Sequence, residues 1–234
     1  MVSTHPMGLP PEEAKLEGRP PGRLFEYLRQ AVLQRSAKEF NDLPLQIKAA
    51  ARIGGLIYTE RATFLPRIYH VLADGSLLGI LDRRKGQFFI RRQIQSEDLS
   101  DLHAVMRPQG AEASGRDLEQ IPVQDLVWQY GQHDPEALLD LPTEIGTHWL
   151  HLRKLPNVSP SLLQERHLAL IRLLLVREQL FDQLLKQTPK QDHSKLMRDV
   201  ASMVLTRSVD SLPSDAVHAS RRMGEKSQAF VIKR

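Results

Sequence analysis

The dipeptide Asp74-Gly75 constrains this chain more than any other feature. It stands between two apolar runs, Ile68-Tyr69-His70-Val71-Leu72-Ala73 and Ser76-Leu77-Leu78-Gly79-Ile80-Leu81. A two-residue hairpin loop favours the type I′ turn, whose central residues need positive φ, and both Asp and Gly tolerate it. Gly79 inside the second run suggests a bulge or a close approach of another group. A longer basic turn follows, Asp82-Arg83-Arg84-Lys85-Gly86, closed by glycine. The third run, Gln87 to Ile94, alternates. Phe88, Ile90 and Ile94 fall on one face with Arg92 among them, and Phe89, Arg91 and Gln93 fall on the other. The stretch reads as a three-stranded antiparallel meander over about 68–94, and such a sheet needs a cover for its apolar face.

Helical patterns on both sides supply one, which makes the fold class α+β. Arg23 to Asn41 has an apolar side at Leu24, Phe25, Leu28, Ala31 and Val32, and Asp42-Leu43-Pro44 ends it. Leu45 to Arg52 reads as a second short helix stopped by Gly54-Gly55, with Leu56 to Thr59 as a short strand after it. Ser96, followed by Glu97 and Asp98, is placed to cap a helix running to about Met106. Between 96 and 146 the chain is acidic and broken by Pro108, Pro122, Pro135 and Pro142. Short helical pieces are expected at Val123–Tyr130 and Pro135–Asp140, with Trp128 and Tyr130 as anchors to the core. Thr147 to Leu155 is read as a short strand. Ser159-Pro160 starts a long helix that runs to about Gln187, apolar on most sides between Leu168 and Val176. That helix, about 159–187, is the expected buried cover of the meander. A further helix over about 192–208 completes a helical hairpin across Thr188-Pro189.

Three segments follow from this pattern: a flexible proline-rich arm (1–21), one α+β globular domain (22–210) and a basic tail (211–234), in which Phe230-Val231-Ile232 has the makings of a docking strand. The chain of 234 residues is long enough to bury a core, and 41% of it is hydrophobic. Without cysteine it has no disulfide framework, no zinc-thiolate site and no cysteine nucleophile. Its start lacks the apolar stretch of a signal peptide, and Leu168–Val176 falls short of the roughly 20 apolar residues a membrane span needs. We read it as a cytoplasmic, bacterial protein.

Charge is unevenly spread. Residues 19–95 hold 14 Lys and Arg against 6 acids, residues 96–146 hold 2 against 11, and residues 147–234 hold 15 against 8. Within the first block the cations concentrate in the meander. Arg83, Arg84, Lys85, Arg91 and Arg92 sit beside Phe89, a set that suits phosphate neutralisation and stacking on a base. These six are the candidate nucleic-acid-binding residues. Lys85-Gly86-Gln87-Phe88-Phe89-Ile90 partly echoes the RNP1 string of RNA-recognition modules. However, Gln87 replaces a stacking aromatic, Phe88 a small residue and Arg92 the last aromatic.

Other chemistries find less. His148 and His151, with Glu144 upstream, lack the three or four convergent ligands a metal needs, and Glu165 and His167 point to different sides of a helix. Glu12-Glu13-Ala14-Lys15 has the Glu-x-Lys spacing of a nuclease but lies in the arm, and Asp74 and Asp82 are explained as turn residues. No nucleophile elbow, phosphate loop or dinucleotide fingerprint occurs. No catalytic residue, metal ligand or cofactor is assigned, and the balance weighs against an enzyme. The expectation is a non-enzymatic accessory protein that contacts nucleic acid, DNA or RNA, through a basic β-hairpin. The alternative is a protein-interaction or assembly subunit, or an adaptor, that meets a protein partner or a second copy of itself without binding nucleic acid.

Overall fold

The Asp74-Gly75 turn forms with both residues at positive φ, 47° and 78°. It joins β1 (Ile68–Ala73) to β2 (Ser76–Asp82), and the basic turn joins β2 to β3 (Gln87–Arg91). The expected meander is therefore present, in a computed structural model that describes residues 23–61, 65–95, 99, 101–108 and 117–213. The arm (1–21) lies outside the described residues. So does the tail from 214 onward, including Phe230–Ile232. Among the described residues, no helix is long and apolar enough to cross a membrane.

The meander is the middle of a larger antiparallel sheet, ordered β4-β1-β2-β3-β5, with β4 (His103–Met106) and β5 (Leu118–Pro122) on its two edges. The register slips between Val71 and Leu72, and the Phe88 ring fills the space a side chain at Gly79 would need. The helix expected to run to Met106 is overturned at its end. His103–Met106 pairs with β1, because the open edge of β1 satisfies backbone groups that the cap at Ser96 was expected to direct into a helix. Residues 96–98 and 100 are not described.

The second correction concerns α2 (Leu45–Thr59), which runs straight through Gly54-Gly55 and absorbs the strand expected at Leu56–Thr59. Each helical glycine costs about 1 kcal/mol in propensity. Packing offsets it: a Cβ on Gly54 would lie 2.0 Å from the carbonyl oxygen of Leu126, so only glycine lets α2 approach α3 (Val123–His133) this closely. Together α2 and α3, not the helix expected over 159–187, cover the sheet. Ile53, Ile57, Leu126, Val127 and Tyr130 form one apolar cluster with Val71, Leu81, Phe88 and Ile90.

The third correction is the long helix expected over 159–187. It is three pieces: a single 3₁₀ turn at Pro160–Leu162, α4 (Glu165–Val176) and α5 (Phe181–Gln187). Ser159 does not cap. Its backbone N–H and its hydroxyl both go to the Asp125 carboxylate instead. The helix restarts where Gln164 and His167 form a reciprocal cap, and Arg177 ends it in extended conformation so that β7 (Gln179–Leu180) can pair with β6 (His148–Leu152). The apolar stripe runs unbroken across these stops because α4 and α5 bury into the same core.

That core is the second cluster. It joins α1 (Arg23–Asn41), α4, α5 and α6 (His193–Leu205), with Phe25 against Phe181 at 5.4 Å between ring centres. The expected strand at Thr147–Leu155 is β6, in a small sheet ordered β7-β6-β8. β8 (Val209–Pro213) shows that Ser211, Leu212 and Pro213, assigned to the tail, pair with β6. Helix α3 belongs to both clusters: Trp128 faces the second, Leu126 and Tyr130 the first, and Trp128 and Tyr130 are buried as expected.

Candidate nucleic-acid interface

Strand pairing decides which face each residue of the large sheet occupies, because directly paired residues point the same way. Val71, Gly79 and Ile90 form one row across β1, β2 and β3, and Tyr69, Leu81 and Phe88 form another. Both rows face α2 and α3. The intervening row, Val105-His70-Ile80-Phe89-Gln120, crosses all five strands on the opposite face. Among the described residues, neither apolar cluster takes in Ile80 or Phe89. Ile80 is buried, His70 and Phe89 are half-buried, and Val105 and Gln120 are exposed. Phe89 thus stands on the face away from the core, between Ile80 and Gln120 across the strands.

The six sequence candidates do not form one patch. Arg83, Arg84 and Lys85 occupy the turn at one end of β3, while Arg91 and Arg92 lie at its other end, on the order of 15–20 Å away at about 3.4 Å per residue. Arg84 is largely committed. Its Nε and Nη2 donate to the two oxygens of Asp82, at 3.1 and 3.0 Å, and the backbone N–H groups of Arg84 and Lys85 donate to the same carboxylate. These bonds hold the buried Asp82 carboxyl below its usual range. Asp82 therefore organises the turn and uses one arginine to do so. Arg91 donates Nε to the carbonyl of Gln93, and Arg92 is exposed.

Two basic residues that sequence reasoning missed join the turn. Arg67 precedes β1, and its carbonyl accepts the N–H of Arg83 at 3.1 Å. Arg107 follows β4, and its N–H donates to the carbonyl of Ile68 at 2.9 Å. Arg67, Arg83, Arg84, Lys85 and Arg107 so gather at one end of the sheet. Arg67 comes to the turn through the β1–β2 hairpin, and the nearness of Arg107 is visible only once β4 is known to be a strand. His70, on the outer face, is held below the usual histidine pKa, first by burial and then by the positive charge of Arg107.

The remaining sequence candidates separate. His148 and His151 lie three apart on a strand and so face opposite ways. Glu165 pairs with Arg172, whereas His167 is buried against Asp199. Among the described residues, no group of three or more His, Asp or Glu could hold a metal ion. The His167–Asp199 pair, 2.9 Å apart, has the makings of an acid–base dyad, yet both ring nitrogens are occupied. Nδ1 accepts the N–H of Gln164, which leaves Nε2 to donate to Asp199. Arg166, Gln132 and Ser202 complete this buried network.

The structure is that of an α+β protein whose five-stranded antiparallel sheet carries a cluster of basic residues at one end and a half-exposed phenylalanine on its outer face. No family model, no curated protein and no solved structure matches the chain.

Proposed function

We propose that this chain is a bacterial, cytoplasmic accessory protein, not itself an enzyme, that binds nucleic acid through the basic end and outer face of its large sheet. The observation that carries the reading is the meeting of Arg67 and Arg107 with Arg83, Arg84 and Lys85. Five basic residues from three separate parts of the chain share one end of the sheet, where Asp82 is already engaged by Arg84. Phosphate neutralisation by such a cluster gives affinity without sequence preference, and Phe89 adds a stacking surface for an unpaired base. Arg91 continues the outer face beyond Phe89 by the two-residue strand period.

Fluorescence anisotropy of a labelled single-stranded oligonucleotide, titrated over a salt series, tests this. The affinity is expected to fall with salt at a slope of about −0.7 per phosphate neutralised. Replacing Arg67, Arg83, Lys85 and Arg107 together by Ala is expected to flatten that slope, and Phe89→Leu to weaken binding at every salt concentration. Arg84 is left intact so that the turn stays formed. Absence of binding at low salt, or an unchanged slope in the quadruple variant, removes the reading.

A second reading, an assembly subunit, draws on a different surface. Leu175 and Val176 at the end of α4 are 63% and 82% exposed, and Leu155 is 62% exposed. Light scattering that shows a stable oligomer dispersed by Leu175→Glu, in a protein that binds no oligonucleotide, would favour it.

A further inference from the structure

A pocket of about 300 Å³ lies between the C-terminal half of α2, the end of α3 and the 3₁₀ turn Pro135–Leu138, away from the basic end of the sheet. Its walls differ in chemistry. Leu56 and Leu102 are apolar, and Tyr130 presents a ring whose hydroxyl donates to Asp140 at 2.7 Å. Asp134 and Glu136 share the lining, with Arg52 at 3.3 Å from each carboxylate.

Asp134 is the unusual member. Its side chain is 1% exposed. Oδ1 accepts the N–H of Glu136 and caps the 3₁₀ turn, but Oδ2 accepts no hydrogen bond. Arg52 Nη1 approaches Oδ2 at ion-pair distance without hydrogen-bond geometry. Buried carboxylate oxygens are normally satisfied, and this one, closed off from solvent with Arg52 beside it, has room for a better-aligned donor once Arg52 shifts. The same guanidinium already lies over the Phe40 ring, 5.0 Å from its centre, while it pairs with the two carboxylates.

We propose that this pocket binds a small organic cation, a primary ammonium or guanidinium group on a short apolar stem. The cationic head lies between Asp134 and Glu136 and donates to Oδ2, with Arg52 giving up its ion pairs to admit it and keeping its contact with the Phe40 ring. The stem lies along Leu56 and Leu102, and the Tyr130 ring closes the back. The charge sign follows from the lining, which sets two carboxylates against one guanidinium. The donor requirement follows from Oδ2, and the volume is at the small end of ligand sites. The inference is independent of nucleic-acid binding and uses none of the same residues.

Titration of the full chain with n-butylammonium and n-butylguanidinium, followed by ¹H–¹⁵N correlation spectra without nucleic acid, tests it. Saturable binding is expected, with the largest shifts at the amides of Gly55, Thr59 and Glu136. Tetramethylammonium, charged but without N–H donors, and n-butanol, without charge, are expected not to saturate. Asp134→Asn and Glu136→Gln are each expected to weaken binding about tenfold, the scale of one charge-assisted hydrogen bond. If Asp134→Asn disturbs the spectrum of the free protein, Glu136→Gln decides, because its side chain is 63% exposed and not part of the core. The proposal is overturned by an absence of saturation, by shifts centred elsewhere, by equal binding of tetramethylammonium, or by full affinity in Glu136→Gln.

Discussion

The sheet half and the helical half of this molecule meet along α3, and they are held together in different ways. On the sheet side, α3 meets α2 through apolar surface and a glycine: Gly54 sits under the Leu126 carbonyl, with Ile53, Ile57 and Val127 around it. On the helical side, α3 meets α4 and α6 through buried polar groups as well as apolar ones. Gln132 donates to Asp199 and Ser202, and Arg166 Nη2 donates back to Gln132 at 2.8 Å. His167 donates to Asp199, and the Ser202 hydroxyl donates to the carbonyl of Trp128. Shape dominates the first seam, whose ion pair from Arg52 to Asp134 lies at the end of α3, whereas the second requires each buried donor along it to find its acceptor. Such networks fix one arrangement of helices at a high cost for any missing member.

The largest expected effect breaks the comparison at its closest contact. Gly54→Ala places a methyl group where the Leu126 carbonyl already lies, so α2 and α3 must separate, and the sheet loses part of its cover. Overpacking against backbone is among the severest single changes, and a loss of about 4 kcal/mol is expected. Gly131 offers the matching test on the other seam, because a Cβ there would lie 2.6 Å from the Cα of Ser202 in α6. Urea unfolding of both variants measures the difference. If either variant is as stable as the parent, that helix pair is not as tightly joined as described.

Next in size is Asp199→Ala, which removes the acceptor shared by Gln132, Arg166 and His167. Breaking a buried, charged network by one partner costs about 3 kcal/mol. The same experiment sharpens the contrast, since the polar group described at the α2–α3 seam, Arg52 between Asp134 and Glu136, lies at the end of α3 and not under its middle. A loss under about 1 kcal/mol would mean that solvent reaches the network.

The same contrast separates what the sequence made legible from what it hid. Turns are local: Asp74-Gly75 and Asp82 to Gly86 placed three strands, the third ending at Arg91 and not at Ile94, and the period-two alternation put Phe88 and Ile90 on one face, which is the buried one. Val123 and Pro135 also began helical turns where expected. The failures are all cases in which a distant group changed a local preference. Gly54-Gly55 reads as a stop until Leu126 is known to press on it. Ser159 reads as a cap until Asp125 takes its hydroxyl. His103–Met106 reads as helix until the edge of β1 claims it, and with β4 went the nearness of Arg107 to the basic turn. The five-residue cluster was thus half legible: Arg83, Arg84 and Lys85 from the turn, Arg67 and Arg107 only from the pairing. Asp134 carried no signal, because an unsatisfied oxygen is a property of its surroundings.

Gly75→Ala is a smaller perturbation confined to the sheet half. The residue sits at φ 78° with open space around it, so its cost is backbone strain alone, about 1–2 kcal/mol. Hydrogen exchange should then show faster opening of β1 and β2 while α4 and α6 keep their protection. Equal acceleration everywhere would mean that the two halves open as one unit.

The smallest effect uses pH to tell the halves apart. His133, at the end of α3 on the helical side, has its pKa lowered from 6.5 to about 4, first by burial and then by Arg198 and Arg166. Between those values the unfolded chain carries a proton on this histidine and the folded chain does not. Acid therefore favours unfolding, and stability falls as the pH drops from about 6.5 to about 4. After solvent screening the change is on the order of 1 kcal/mol or less. Asp82, in the sheet half, acts in a different window. Hydrogen bonds from Arg84 hold its carboxyl below its ordinary value of 3.8, so its contribution is complete above that value and is lost only as the pH falls further. Urea midpoints collected across both windows should show a shallow decline in the parent that His133→Gln flattens above pH 4, leaving the more acidic limb in place. Asp82→Asn should do the reverse. A decline above pH 4 that persists in His133→Gln would show that another group, and not the buried end of α3, carries the proton.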